Sequence, residues 1–315
     1  MAAGRGARHD LVGPGPGRRA RRENADGADH EPRHGGGRAL ESFSSSFAAL
    51  GDLALAGGQV SASVSDLDSG VDLLGVDEHL ALPVGQLGAV LLLIEVSARI
   101  EDGTLRPLDE LDRPGDPGDQ GPGGLWPYLR RTSLPVTDAA TLVGAFRDAA
   151  AIDALIGRVG LAAVRARGES LGLTKTALLD VTRSSRGPDD APALAVGSAH
   201  ELAGLMVSLA RGEVVDRAVS NRVLGWLSLG ADTSLVAAPF GLDPLGHRRL
   251  DHDLQIVHAT GGDPGVRSEL GVLRGPHRSV AYCVIVTFDD LTLAHRLRAL
   301  DALRVVGTDV LEYVH

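Results

Sequence analysis

Between Gln86 and Ile100 the chain carries Leu87, Ala89, Val90, Leu91, Leu92, Leu93, Ile94, Val96 and Ala98, and in the first half of this stretch no polar face remains. Pro83 and Gly85 introduce it and Gly103 closes it, which predicts a helix over 86–100. A helix that is apolar all round has to be enclosed, since any side left on the surface would expose hydrocarbon to water. Lipid does not supply the enclosure. The unbroken apolar run at the centre of this stretch, residues 90–94, is far below the roughly 18 residues that span a bilayer. The rest of the chain must therefore fold around this helix, and 315 residues are enough to bury about three quarters of the unfolded surface.

The surrounding segments show how. A helix is predicted over 39–54 from Leu40, Phe43, Phe47, Leu50 and Leu53 at spacings of three and four. Val60, Ala62 and Val64 alternate with serines, and Asp68-Ser69-Gly70 turns the chain back through 71–76, giving a hairpin. A Pro/Gly/Asp loop follows over 112–124, then an alanine-rich helical pattern over 137–167. A second polar loop spans 183–197, with helices over 198–209 and 216–229. The last third reads as strands over 255–259, 266–273 and 279–288, separated by the turns Gly261-Gly262-Asp263-Pro264-Gly265 and Gly275-Pro276-His277. Val284, Ile285 and Val286 are apolar on both faces, as in a central strand. Asp289 or Asp290 is placed to cap a final helix with Leu293, Leu297, Leu300 and Leu303 on one face. Two strands from one end and three from the other predict a five-stranded antiparallel sheet. Terminal helices would cover one face and the inserted all-helical block the other, an α/β (α+β) architecture.

Composition narrows the chemistry. The only cysteine is Cys283, which excludes an intrachain disulfide and a cysteine-based metal centre and reads as a small core residue. Net charge is −10 without acidic blocks, so the basic footprint of a nucleic-acid binder is missing. Residues 1–38, rich in Gly, Arg, Pro and Asp, read as a disordered tail without a secretory apolar run, and the protein as cytoplasmic. His247, His252 and His258 are spaced by five and six, which fits no common ligand pattern, and no metal site is expected there.

The element order, together with the stretches 90–98, 134–144, 186–192 and 265–276, resembles the class A serine β-lactamases and their penicillin-recognising relatives over 39–315. The resemblance implies a β-lactamase-like domain with a sheet part (39–84 and 250–315) and a helical part (85–249). That family opens its buried helix with Ser-x-x-Lys, because residues three apart share a helix face and the amine can help deprotonate the hydroxyl. The matching run here is Pro83-Val84-Gly85-Gln86-Leu87-Gly88-Ala89. Gln86 stands at the nucleophile position and Ala89 at the lysine position. An amide is a poor nucleophile and a methyl group carries no proton. The family's Ser-Asp-Asn falls on Arg147, Asp148 and Ala149, and its Lys-Thr-Gly on Ala259, Thr260 and Gly261. Lys175 is the only lysine, and Gly172 stands three residues before it, so no other register restores Ser-x-x-Lys. The loop where the family places its deacylating glutamate holds Asp180 and Asp189-Asp190, and no base is assigned.

The resemblance thus implies a pseudoenzyme with no catalytic residue, cofactor or metal, and a vestigial pocket of Gln86, Ala89, Arg147, Asp148, Ala149, Ala259, Thr260 and Gly261. Non-catalytic members of this fold accompany transcriptional activators of β-lactamase genes in streptomycetes. This implies a regulatory role in β-lactamase production, with a protein partner such as a transcriptional regulator. A second reading is a sensor that binds a β-lactam or cell-wall fragment without reacting, anchored by Arg147 and Thr260. A third is a hydrolase with a relocated nucleophile, although no nucleophile with an adjacent base can be named. Arg147 itself reads either as a bidentate carboxylate anchor or as a residue paired with Asp148 or exposed at a helix end.

Overall fold

A computed structural model of the chain describes residues 43–115 and 123–315. The expected 1–38 tail, the start of the expected first helix and the middle of the 112–124 loop lie outside the described residues. In chain order the elements begin with α1 (Ser44–Leu55), β1 (Gln59–Asp66), β2 (Asp72–Val76), β3 (Leu82–Pro83) and α2 (Ala89–Glu101). Next come β4 (Glu110–Asp112), β5 (Ser133–Pro135), α3 (Val136–Phe146), α4 (Ala149–Val159), α5 (Leu161–Ser170), β6 (Ala177–Leu178) and β7 (Ala195–Gly197). The chain continues through α6 (Ala199–Arg211), α7 (Arg217–Leu227), β8 (Gln255–Asp263), β9 (Val266–Arg274), β10 (Ser279–Thr287) and α8 (Leu293–Val314).

Five strands form one antiparallel sheet in the order β2-β1-β10-β9-β8. Strand β10 is central and its Val284, Ile285 and Val286 are fully buried, as the sequence pattern requires. Its Val280, Tyr282, Val284 and Val286 pack with residues of α1 and α8, while Ala281, Cys283 and Ile285 pack with the helical block. Helix α2 fills that block. Every residue from Ala89 to Ala98 is buried, and each fully buried Leu or Ile contributes about 1.5–3 kcal/mol. Glu95, the one acidic residue in this stretch, is held by Arg99 at 2.7 Å and by Arg167 of α5 at 2.9 Å, so its charge is compensated.

Several boundaries differ from the sequence reading. Helix α2 starts at Ala89, and Gln86 instead sits on a single 3-10 turn, Gly85–Gly88. The 137–167 stretch is three helices. It breaks at Arg147, which adopts a left-handed φ of 54°, and at Gly160, φ 84°; alanine-rich periodicity runs straight through such breaks. β8 runs on through Thr260, and Gly261, Gly262 and Asp263 belong to it and not to a turn, because pairing with β9 persists to the Asp263 and Val266 partners. Glycines in an edge strand mark a close backbone approach as readily as a turn. The 183–197 loop ends in β7, which joins β3 and β6 in a small second sheet. Its strands are too short to show any period. In α8, Leu293 and Leu297 are 68% and 46% exposed; the buried face is Ala299, Ala302, Leu303, Val306, Val310 and Val314. Thr292 caps that helix, accepting from the His295 N–H, while Asp290 accepts from the Thr292 N–H.

The terminal helices pack on each other and share a buried polar contact. Asp309 of α8 accepts from the backbone N–H and the hydroxyl of Ser46 in the first turn of α1, at 2.8 and 2.7 Å. Early helical N–H groups lack intrahelical partners, and the helix N-terminus favours a carboxylate, so Asp309 does for α1 what a local cap does elsewhere. Asp309→Ala is expected to lower unfolding stability by about 1–3 kcal/mol in urea titrations, whereas the exposed Leu297→Ala should stay within about 0.5 kcal/mol of the parent.

Candidate functional site

The candidate site lies where the turn before α2 meets the free edge of β8. Two backbones come very close here. A Cβ on Gly85 (φ +58°) would lie 2.8 Å from the Gly262 nitrogen, and one on Gly261 would lie 2.1 Å from the Val84 carbonyl oxygen. Only glycine fits either place. The turn is fixed on both sides, since Ser268 of β9 donates its hydroxyl to the Val84 oxygen at 2.9 Å and the Val84 N–H donates to Ala195 of β7 at 3.1 Å. On this frame Gln86 turns its side chain to the strand, and its Oε1 accepts from the Gly262 N–H at 3.1 Å.

A cavity of about 620 Å³ opens beside this contact. Gln86, Phe146, Arg147, Asp232, Ser234, Gly261, Gly262, Asp263, Arg267 and Arg296 are among its lining residues. Asp232 organises one wall. It pairs with Arg147 Nη2 at 2.9 Å and accepts from the Thr260 hydroxyl at 3.2 Å. It also accepts from the Ser234 hydroxyl and N–H, at 2.6 and 3.2 Å. Burial alone would raise its pKa, but the bonds from Ser234 and the charge of Arg147 outweigh that and hold it below the ordinary carboxylate value. Asp263 goes the other way, since burial pushes it up against the opposing charges of Arg186 and Arg267. Three arginines, Arg147, Arg267 and Arg296, thus face two aspartates, and such a lining favours a small anionic ligand.

The structure brings only part of the expected set into the cavity. Gln86, Arg147 and Gly261 line it. Thr260 is 3% exposed and committed to Asp232, so it serves the wall and is not an open ligand anchor. Asp148 is fully buried and accepts from the N–H groups of Leu125, Trp126 and Ala151, at 2.5, 2.6 and 2.9 Å; it caps α4. It does not pair with Arg147, whose partner is Asp232. Ala149 is buried in the first turn of α4, Ala89 lies in the main core, and Ala259 is half-buried against that core. On the neighbouring loop, Asp180 is held by Arg183 and Arg186 at 2.7 and 2.8 Å.

Sequence reasoning missed Asp232, Arg267 and Arg296, and also the group that supports Asp232. Glu269 is fully buried in β9 and accepts from the Tyr282 hydroxyl at 2.7 Å and from the Val236 N–H at 2.8 Å. His258 places Nδ1 3.1 Å from the same carboxylate and Nε2 3.3 Å from the Gly230 carbonyl oxygen. Residues 230–237, which carry Asp232 and Ser234, are therefore pinned from the sheet. Burial and the adjacent Glu269 charge push the Tyr282 phenol far up, so it stays a donor. Of the other two histidines, His247 lies edge-on to His258 with ring centroids 5.6 Å apart, while His252 is exposed and pairs with Asp251.

Because the folded-state pKa of Asp232 lies below its ordinary 3.8, its contribution to stability is fully present above that value. It is lost as pH falls through the lowered pKa. Asp232→Asn is expected to destabilise the protein at neutral pH, and urea titrations at descending pH should show its gap from the parent closing in that acidic window. A gap independent of pH would contradict the assignment.

A model of the β-lactamase enzyme family matches residues 43–314. No curated protein sequence matches the chain. Among solved structures, a β-lactamase from Sphaerobacter thermophilus superposes with a TM-score of 0.73 at 18% identity, covering 86% of this chain and 97% of that one. A β-lactamase from Xanthomonas campestris gives 0.72 at 17% identity, covering 88% and 100%. A variant of PBP-A, in an acyl-enzyme complex with penicillin G, gives 0.68 at 18% identity, covering 85% and 96%. These likenesses are of fold, and the matched span of nearly the whole described chain places it, by sequence, in the β-lactamase enzyme family.

Proposed function

We propose that this protein is a non-catalytic member of the β-lactamase enzyme family that acts in the control of β-lactamase production. The observation that carries the non-catalytic reading is Gln86. Acyl transfer needs a nucleophile with a base in hydrogen-bond reach, and free donors aimed at the developing oxyanion. Here the residue at the nucleophile position is an amide whose own oxygen occupies the nearest strand donor, the Gly262 N–H. The methyl of Ala89 lies in the core, where the resemblance would have an amine. The regulatory role rests on the resemblance to non-catalytic members that accompany transcriptional activators, and a protein partner belongs to it.

The arginine-lined cavity favours a second reading, in which the protein also senses a ligand. Its volume falls in the range of small-molecule pockets, and Arg147, Arg267 and Arg296 suit the carboxylate of a β-lactam or cell-wall fragment. A ligand bound at 100 times its Kd would stabilise the fold by about 2.7 kcal/mol. That shift should shrink in Arg267→Ala.

Intact-mass measurement after incubation with excess penicillin, with the remaining antibiotic assayed in the same tube, decides the matter of reactivity. The expected result is an unmodified protein and unconsumed penicillin. A covalent adduct would sink the non-catalytic reading, and the modified peptide would name a relocated nucleophile. Penicillin consumed without an adduct would sink it too. The regulatory role predicts that deleting the gene changes β-lactamase output in the producing cell, and unchanged output would refute it.

A further inference from the structure

At the opposite edge of the sheet from the cavity, the chain leaving β2 meets the first turn of α6, and three potential ligands converge. We propose that Glu78, His79 and His200 form a binding site for a divalent transition metal, zinc above all. One ligand atom from each residue lies within 4.8 Å of the other two. Glu78 Oε1 is 3.5 Å from His79 Nε2 and 3.6 Å from His200 Nδ1. A tetrahedral zinc ion with bonds of about 2.0–2.2 Å sets its ligand atoms about 3.3–3.6 Å apart. Both measured separations fit that figure, so a cation enters with small side-chain adjustments.

The ligands are held in place by the backbone beneath them. The Glu78 carbonyl oxygen accepts from the His200 N–H at 2.9 Å and from the Ser61 hydroxyl at 3.3 Å. The same Ser61 oxygen accepts from the Ala199 N–H at 3.1 Å. Lys175 donates its Nζ to the His79 carbonyl oxygen at 2.7 Å, while its backbone N–H donates to the Glu201 carboxylate. Gly75 makes room for the carboxylate, since a Cβ there would lie 2.8 Å from Glu78 Oε2. Three segments far apart in sequence are thus brought together around Glu78, the kind of preorganised support that a metal site needs.

The two imidazole rings lie 4.4 Å apart, on either side of the Glu78 carboxylate that each approaches. A shared cation gives two neutral imidazoles and the carboxylate a common partner. Two nitrogens and one oxygen select zinc, nickel, cobalt or copper over magnesium and calcium, which take oxygen ligands. Three protein ligands leave a fourth position open to the cleft lined by Gly75, Asp77, Glu78, His79 and Leu80, where water or a donor from another molecule would complete the shell. The bound ion would clip the connection after β2 to the start of α6.

The test is calorimetric titration of the tag-free full chain with zinc chloride, with magnesium chloride as the control. One zinc per chain is expected, with no magnesium binding. Glu78→Gln and His200→Ala should each weaken zinc binding more than about tenfold, whereas the exposed His252→Ala should leave it unchanged. Cobalt substitution provides a second readout: the intense visible bands of a four-coordinate ion should appear in the parent and vanish in His200→Ala. Both variants change exposed or half-buried side chains and keep the backbone bonds, and their urea midpoints check that they fold. Absence of zinc binding overturns the proposal, as does zinc binding that survives both substitutions.

Discussion

The contact between the turn at residues 84–85 and the edge of β8 sets the position of nearly everything else near the cavity. Gly85 and Gly261 let two backbones approach to a distance that any side chain would forbid. Val84 is then tied to β9 through Ser268 and to β7 through its own N–H. The start of α2 is therefore registered against the sheet before any cavity residue is considered. Helix α2 in turn is the surface on which α3, α4, α5 and α7 pack. Moving that turn would move the enclosed helix, and a close-packed interior does not deform gradually.

A second layer of constraint is electrostatic. Asp232 ties Arg147, at the break between α3 and α4, to Thr260 on β8, so one carboxylate links the helical block to the sheet across the cavity. Its own segment is fixed from below by Glu269, which is buried with its oxygens satisfied by Tyr282, His258 and the Val236 N–H. Removing one partner from such a network costs more than the pair itself contributes, because a buried charge is left uncompensated. The wall of the cavity is thus built from interactions that are fully spoken for, while Arg267 and Arg296 complete its positive side.

What was legible in the sequence is what depends on period and length. The enclosed helix, the hairpin, the three long C-terminal strands and the five-stranded sheet all follow from apolar spacing over about five or more residues. Features that depend on single residues were not legible. The helix break at Arg147 needs a non-glycine residue in a left-handed conformation, which no propensity signals. Strands β3, β6 and β7 have two or three residues each, too few for a pattern. In α8 the leucines suggested one face, but the small residues Ala299 and Ala302 pack closely and leave Leu293 and Leu297 in water. Asp232 stands 85 residues from Arg147, and nothing local to either announces the other. His200 and Glu78 are likewise remote in sequence and become neighbours only through the docking of α6.

Among the positions that the resemblance sets against the β-lactamase motifs, the residues that agree with the motif and those that depart from it do different kinds of work. Asp148, Thr260 and Gly261 agree, and each has a structural task that stands without any chemistry. Asp148 gathers three backbone N–H groups, Thr260 bonds to Asp232, and Gly261 permits the backbone contact. Gln86, Ala89, Arg147, Ala149 and Ala259 depart from the motif, and each of these side chains has a place in the fold. The alanines are accommodated in or against apolar surroundings, Gln86 satisfies a strand-edge N–H, and Arg147 is neutralised by Asp232. A fold can keep its architecture while its chemistry changes, because packing and hydrogen-bond satisfaction place demands on different residues than nucleophilic attack does. That division is what the proposed non-catalytic reading requires: a site in which the residues the fold depends on are present and those a reaction would depend on are exchanged for groups that bind or fill.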